Sequence, residues 1–123
     1  MLIIDNDENI LNIKELLKKR EDSLLKNEEE IKSFLLLNNI TQYHIGYDLS
    51  VTIWQDTVIK TKMDFLPINF KETHCNFTIK NCGLKLLCGV PQKVDNFDCS
   101  NNQLISLYGG PISVDSYNCS YNQ

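Results

Sequence analysis

The first third of the chain has the hydrophobic spacing of an amphipathic helix. Residues 7–38 contain no glycine or proline and are rich in Leu, Lys and Glu, which favour helix. Apolar side chains recur every seven positions, at Ile10, Leu17, Leu24 and Ile31. The pair Asn38-Asn39 is typical of a helix end, because Asn tolerates the left-handed conformation found there. The pattern predicts a helix or a helical pair within residues 1–39.

The seven-residue spacing allows two interpretations. In the first, the segment is one amphipathic helix, or two helices broken near Asp22-Ser23 or at Asn27, that folds back on the rest of the chain. In the second, the four apolar residues form the seam of a homodimeric coiled coil. Arg20 and Asn27 occupy positions in the matching second seam, where apolar side chains are expected. Because that seam is half polar, the folded-back helix is the favoured interpretation and the homodimer is the alternative.

Residues 40–66 have the composition of a small antiparallel sheet. The segments Tyr43–Ile45 and Val51–Trp54 are rich in strand-forming residues and flank Gly46-Tyr47-Asp48, which supplies turn chemistry. A third strand-like segment, Thr57–Ile59, follows. Trp54 is expected to pack in the core or to cap it.

From residue 67 onward the dominant signal is an internal repeat of 20 residues. The last two copies agree at five pairs of positions, namely Pro91 and Pro111, Val94 and Val114, Phe97 and Tyr117, Cys99 and Cys119, and Asn102 and Asn122. An earlier copy carries Phe77, Ile79, Cys82, Leu84 and Leu87 at corresponding positions, with His74, expected to be packed, in the first slot. Because one such unit cannot bury its own apolar face, the repeat predicts a stacked solenoid of about two and a half coils over residues 67–123.

Each position of the repeat has a physical role in such a stack. Phe97 and Cys99 alternate on a short strand, so both point inward while Asp98 points outward. Asn102 follows the strand, where its amide can bond the unpaired backbone groups of neighbouring turns. Leu104 and Leu107 fill the interior from the opposite side. The whole chain is therefore predicted to be α+β, with divisions at residues 1–39, 40–66 and 67–123.

This pattern resembles the leucine-rich repeat, whose consensus allows Asn or Cys at the polar position. Its detailed form, F-x-C-S-N-N-x-L-x-S-L-x-G-x-P, resembles the short repeat proteins of phages and large DNA viruses. In those proteins a strand-rich segment with an L-P-I-x-F motif precedes the repeats, and residues 66–70 read Leu-Pro-Ile-Asn-Phe. The resemblance covers residues 67–123. It implies a leucine-rich-repeat fold, a viral or phage origin and a binding role.

Charge and hydropathy narrow the range of partners. The chain has a formal net charge of −4, and residues 1–39 hold six basic against nine acidic side chains. No basic surface indicates nucleic acid, and the longest apolar run, residues 34–37, is far too short to span a membrane. The first residues lack the pattern of a secretory signal. The expected location is the cytoplasm, which is the host cytoplasm if the protein is viral.

The five cysteines and the search for catalytic motifs give little chemistry. An odd number of cysteines argues against a disulfide framework, and no C-x-x-C pair indicates a zinc site. No catalytic signature is found, so we expect no enzyme activity, no catalytic residue, no metal and no cofactor. A metal-binding or redox role of the thiols is kept as a second alternative function.

The favoured function is that of a protein–protein interaction module, which would use the outward strand residues of the solenoid. The candidate binding residues on this face are Thr78, Lys80, Asn96, Asp98, Ser100, Asn118 and Ser120. The first alternative is a small inhibitor of a host enzyme or defence complex, acting by steric occlusion with the acidic helix. The last coil, ending at Asn122-Gln123, is expected to be open, so a second copy or the partner protein could cover it.

Overall fold

The structure is a computed structural model that describes residues 7–122, with side chains described from Asn12 onward. It contains two helices, α1 (Asp7–Ser23) and α2 (Glu28–Leu37). Seven strands follow, namely β1 (Tyr43–Ile45), β2 (Val51–Ile53), β3 (Thr57–Val58), β4 (Phe70–Thr73), β5 (Phe77–Thr78), β6 (Lys93–Asp98) and β7 (Ser113–Asn118).

The predicted helical region is a pair of helices, and Asn27 decides where the second begins. Its Oδ1 accepts a hydrogen bond from the Glu30 backbone N–H at 2.9 Å, and its Nδ2 donates to Glu30 Oε1 at 2.7 Å. This is the reciprocal arrangement of a capped helix N-terminus. At the other end, Asn39 adopts a φ of 58° as the helix stops. The broken, folded-back helix is thus the interpretation that is confirmed.

Helix α2 packs into the same core as the strands. Ile31 and Leu35 have no exposed surface and belong to one apolar cluster with Val51 and Ile53 of β2. Just beyond the helix, Asn38 Oδ1 accepts hydrogen bonds from the Lys60 backbone N–H and the Thr61 hydroxyl. The helical pair therefore covers the end of the strand stack that is nearest to it in sequence.

The sheet between the helices and the repeats is mixed rather than antiparallel throughout. Strands β1 and β2 form the predicted antiparallel hairpin. Strand β2 then pairs in parallel with β4, and β3 pairs in parallel with β5. The reason is the 20-residue period, which places Thr57 beside Phe77, so that the third strand-like segment is already part of the stack.

Strands β3, β5, β6 and β7 form one parallel ladder in register, and we call each level of this ladder a rung. The register places Phe77 beside Phe97 and Phe97 beside Tyr117. The rings of Phe77 and Phe97 stack with centroids 6.2 Å apart, while Tyr117 meets Phe97 edge-on at 5.2 Å. Phe97 and Cys99 are buried, as the alternation predicts. The α+β class and the solenoid with a period near 20 are confirmed.

Three residues expected in the interior are more exposed than the sequence suggests. Leu107 is 47% exposed, since it lies at the end of the stack with no described rung over it. His74 is exposed, because the register of β2 and β4 shifts and Thr73, paired with Ile53, is buried instead. Trp54, which follows β2, is half-exposed. The divisions at residues 39/40 and 66/67 stay a prediction.

Candidate binding surfaces

A row of hydrogen-bonded side chains runs across the outward side of the ladder. Asn96 Nδ2 donates to Asn76 Oδ1 at 2.8 Å, and the Ser116 hydroxyl donates to Asn96 Oδ1 at 2.7 Å. The three residues lie at equivalent positions on successive rungs, and all are exposed. Each side chain is held in one orientation by its neighbours, so the row is ordered before any partner binds.

A second row lies at the end of the strands and uses the same turn twice. Asp98 Oδ1 accepts hydrogen bonds from the Ser100 N–H at 3.0 Å and from its hydroxyl at 2.6 Å. Asn118 repeats both bonds with Ser120, at 3.1 Å and 2.7 Å. A carboxylate on one rung and an amide on the next therefore support the same local backbone. The charge of Asp98 is not needed for the turn.

The predicted binding residues do not all reach the surface. The exposed ones are Lys80, Asn96, Asn118 and Ser120, while Thr78 and Asp98 are half-buried. Ser100 is only 4% exposed, and its assignment to the outward face is wrong. The alternation of a strand stops at Asp98, and Asn101 turns the chain with a φ of 57°. The Ser100 hydroxyl is directed back to Asp98 instead of outward. We call the remaining set, together with Asn76 and Ser116, the strand face.

The four residues of the predicted coiled-coil seam do not share one helix face. The side chain of Ile10 lies outside the described residues. Leu17 is half-buried on α1, and Leu24 lies in the connection between the helices. Ile31 has no exposed surface because it packs in the core of its own chain. The continuous helix that a heptad seam needs is not formed, and a homodimer stays a prediction.

Beneath the strand face, Asn102 connects three backbone segments. Its Oδ1 accepts hydrogen bonds from the N–H groups of Cys82 at 3.0 Å and Leu84 at 3.1 Å. Its Nδ2 donates to the carbonyls of Ile79 at 2.7 Å and Cys99 at 2.9 Å. The residue is buried, so these bonds satisfy groups that water does not reach. This is the role the repeat predicts for the position.

All five cysteines are free thiols, and several are placed where ionisation is unfavourable. Burial raises the pKa of Cys99 to about 12, and it also raises the pKa of Cys82. Burial raises the pKa of Cys88 as well, although the nearby Arg20 guanidinium acts in the opposite direction. Within residues 12–122, no group of three or more His, Cys, Asp or Glu side chains is arranged to hold a metal ion.

One feature that the sequence pattern missed is the role of Arg20. Its Nε donates to the Leu66 carbonyl at 3.0 Å, and its Nη2 donates to the Ile68 carbonyl at 3.1 Å and to Asn69 Oδ1 at 2.6 Å. The side chain is only 9% exposed. The one signal in the sequence was a charged residue at an otherwise apolar position of the helix. That position indicates burial, but it does not reveal acceptors more than 40 residues away.

Arg20 lines a cavity of about 510 Å³ on the flank of the solenoid, which we call the flank groove. Its walls and rim come from residues between Phe70 and Ile112, including Cys88, Gly89 and Tyr108. Two smaller cavities, of about 320 Å³ and 330 Å³, adjoin it at Asn69. The flank therefore carries an elongated depression that is separate in composition from the strand face.

No helix in the described part of the chain is long and apolar enough to cross a membrane. The fold has been compared with known proteins at the level of family, sequence and structure. No family model, no curated protein and no solved structure matches the chain. Function is therefore argued from the geometry of the two surfaces.

Proposed function

We propose that this protein is a non-enzymatic protein–protein interaction module whose partner binds the strand face. The observation that carries the proposal is the exposed row formed by Asn76, Asn96 and Ser116, linked by hydrogen bonds of 2.8 Å and 2.7 Å. Side chains that are already ordered lose little conformational freedom on binding, so more of the contact energy is retained.

The chemistry of the strand face favours a protein over a nucleic acid. Its charged members are Lys80 and Asp98, whose charges are opposite, and the others are amides and hydroxyls. Phosphate binding requires a surplus of basic side chains, which this surface lacks. Amides and hydroxyls both donate and accept hydrogen bonds, and they suit the mixed polar surface of a protein.

The size of the face limits what it can do alone. Rungs lie about 4.8 Å apart and strand residues about 3.3 Å apart, so three rungs of six residues cover only about 200 Å². A specific interface uses about 800 Å² on each partner. The partner must therefore also contact neighbouring surfaces, and β7, at the edge of the ladder, is the adjacent one.

The proposal is tested with two substitutions that leave the rungs intact. Lys80→Glu reverses the charge of an exposed side chain. Asp98→Asn removes a charge but keeps the turn, because Asn118 forms the same two bonds on the next rung. Lys18→Glu, on the exposed side of α1, is the matched control for charge reversal.

The assay is photo-crosslinking in a lysate of the source cells, with the crosslinker at Asn118. We expect one partner with the unaltered chain and with Lys18→Glu, and about tenfold less of it with the combined Lys80→Glu and Asp98→Asn variant. Such a loss corresponds to about 1.4 kcal/mol. Equal capture by all three proteins would show that the partner does not use the strand face.

From the repeat resemblance we further propose a viral or phage origin and a location in the host cytoplasm. The alternative function, occlusion of a host enzyme or defence complex, would use the acidic start of α2, Glu28–Glu30. Deleting the helices cannot test it, because Ile31 and Leu35 belong to the core. Glu28→Gln with Glu29→Gln removes two charges and keeps Glu30, which bonds the helix cap. Unchanged inhibition of the target by this variant would exclude the acidic face.

A further inference from the structure

We propose that the flank groove binds an extended peptide segment, with an acidic side chain of that peptide on Arg20 and an apolar neighbour on Tyr108 and Ile112. This site is distinct from the strand face and does not depend on the function proposed for it.

The first argument is the unpaired charge of Arg20. The guanidinium is 91% buried, since only 9% of the residue is exposed. Its three hydrogen bonds go to neutral oxygens, two of them backbone carbonyls. Among the described side chains, neither an Asp nor a Glu forms an ion pair with it. Because an arginine keeps its charge when buried, this cation has a strong preference for an anionic partner.

The second argument is the set of donors that remains. The bonds to Leu66, Ile68 and Asn69 use Nε and Nη2. The Nη1 nitrogen, with two N–H groups, forms no hydrogen bond with the described residues. A guanidinium donates in a planar fork that fits a carboxylate. Arg20 lines the groove, so a carboxylate that enters there finds free donors on a side chain already fixed in position.

The third argument is the shape and composition of the groove. Its volume of about 510 Å³ falls within the range typical of ligand sites, which combine apolar walls with few polar groups. Phe70 and Val90 contribute buried apolar surface, while Tyr108 and Ile112 are 63% and 85% exposed at the rim. Exposed apolar side chains beside a buried cation suit a ligand with a carboxylate next to an apolar group.

The occupant is a peptide segment rather than a compact molecule because the depression continues on both sides of Arg20. The flank groove extends away from it toward Gly109 and Ile112. A second cavity, lined by Glu21, Leu25 and Asn69, begins beside it in the other direction. An extended chain could lie along both, with one side chain reaching the guanidinium between them. This geometry favours an internal Asp or Glu over a terminal carboxylate.

The probe is the blocked peptide Ac-Gly-Leu-Glu-Leu-Gly-NH2, and its comparison is the same peptide with Gln in place of Glu. A third arm, Ac-Gly-Leu-Gly-OH, carries only a terminal carboxylate. Binding is followed by NMR on the ¹⁵N-labelled full chain, with the Arg20 Nε–H signal and the amides of residues 108–112 as reporters. A hydrogen bond to a charged group predicts that the Glu peptide binds about tenfold or more tightly than the Gln peptide.

Variants separate the groove from non-specific attraction. Tyr108→Glu adds a negative charge at the rim on an exposed side chain, and Tyr47→Glu makes the same change on an exposed tyrosine outside the groove. We expect Tyr108→Glu to weaken the Glu peptide at least severalfold and Tyr47→Glu to leave it unchanged. Arg20→Gln, used if its spectrum elsewhere is preserved, should abolish the preference for Glu over Gln.

Several results would overturn the inference. These are equal affinity for the Glu and Gln peptides, shifts confined to the strand face, an equal effect of the two tyrosine variants, or no binding up to the solubility of the peptide. Tighter binding of the terminal carboxylate would also overturn it, because the site would then hold a chain end. Lys80→Glu should leave peptide binding unchanged, so failure here is distinguishable from failure of the strand-face proposal.

Discussion

Asn102 is the residue whose removal should damage the solenoid most for its size. In Asn102→Ala, the N–H groups of Cys82 and Leu84 lose the oxygen that accepts their bonds at 3.0 Å and 3.1 Å. The site is buried, so water does not replace that oxygen. An unsatisfied buried donor costs about 1–3 kcal/mol, and two of them cost about 2–6 kcal/mol. Stability for this chain length is about 6–18 kcal/mol.

The equivalent residue on the next rung is the matched control. Asn122 Oδ1 accepts a bond from the Leu104 N–H, and its Nδ2 donates to the carbonyls of Cys99 and Cys119 at 3.1 Å. It is only half-buried, so water can replace its amide. Asn122→Ala should therefore cost about 1 kcal/mol, the net value of a typical hydrogen bond.

A third variant, Asn102→Cys, places on this rung the residue that the previous one carries. Cys82 has its sulfur 3.4 Å from the Ile59 carbonyl and 3.3 Å from the Lys80 carbonyl, so a thiol at this slot donates but offers little as an acceptor. Asn102→Cys should fall between the other two.

The assay is urea unfolding followed by far-UV circular dichroism, with the free energy of unfolding extrapolated to water. The expected order of destabilisation is Asn102→Ala, then Asn102→Cys, then Asn122→Ala. If Asn102→Ala costs no more than Asn122→Ala, the buried amide is not what holds the turns together. A change in the slope of the transition would indicate a loss of two-state behaviour, and the comparison would then use hydrogen exchange.

Three further predictions test other parts of the fold. Because burial raises the pKa of Cys99 from 9.0 to about 12, the folded state favours the neutral thiol, and this contribution to stability should be lost as the pH rises from about 9 to 12. Thermal unfolding of Cys99→Val should show a smaller decline over that range. Gly89→Ala should destabilise by about 2–4 kcal/mol, since its φ is +102° and a Cβ would lie 2.5 Å from Arg20 Nη2. Gly83→Ala, with φ +78° and no heavy atom within 4 Å, should cost about 1–2 kcal/mol by the same urea assay. Asn27→Ala should cost about 1 kcal/mol and Asn27→Ser much less, because Ser also caps a helix; equal losses in thermal unfolding would contradict the capping role.

The solenoid could be predicted where the repeat is strong. Phe97, Cys99 and Asn102 lie as the sequence indicates, because alternation and the 20-residue period depend only on local geometry and stacking. The first rung escaped the pattern since Lys62 occupies the slot held by Cys82 and Asn102 on later rungs. At that end of the stack, the helices supply the core that another rung would otherwise provide.

The binding surfaces were harder to predict, for a different reason. Ser100 was assigned to the outward face by extending the strand alternation one step past the point where the backbone turns. Arg20 was read as a flaw in an apolar seam, whereas it is held by carbonyl oxygens from a distant segment. Both errors concern contacts that are set by tertiary structure, which a local pattern does not contain. The binding role of either surface stays a proposal.

The equal register of neighbouring rungs has a consequence for how such a chain can change in length. Phe97 lies beside Tyr117 and Asp98 beside Asn118, 20 residues apart at each pair. If residues 91–110 were duplicated, the new rung would meet on both sides the partners that its parent already has. Phenylalanine would stack on phenylalanine and the Asn102 amide would find the same backbone groups. A gene encoding this fold could thus grow by whole units through unequal recombination, while insertions of any other size would displace every later rung.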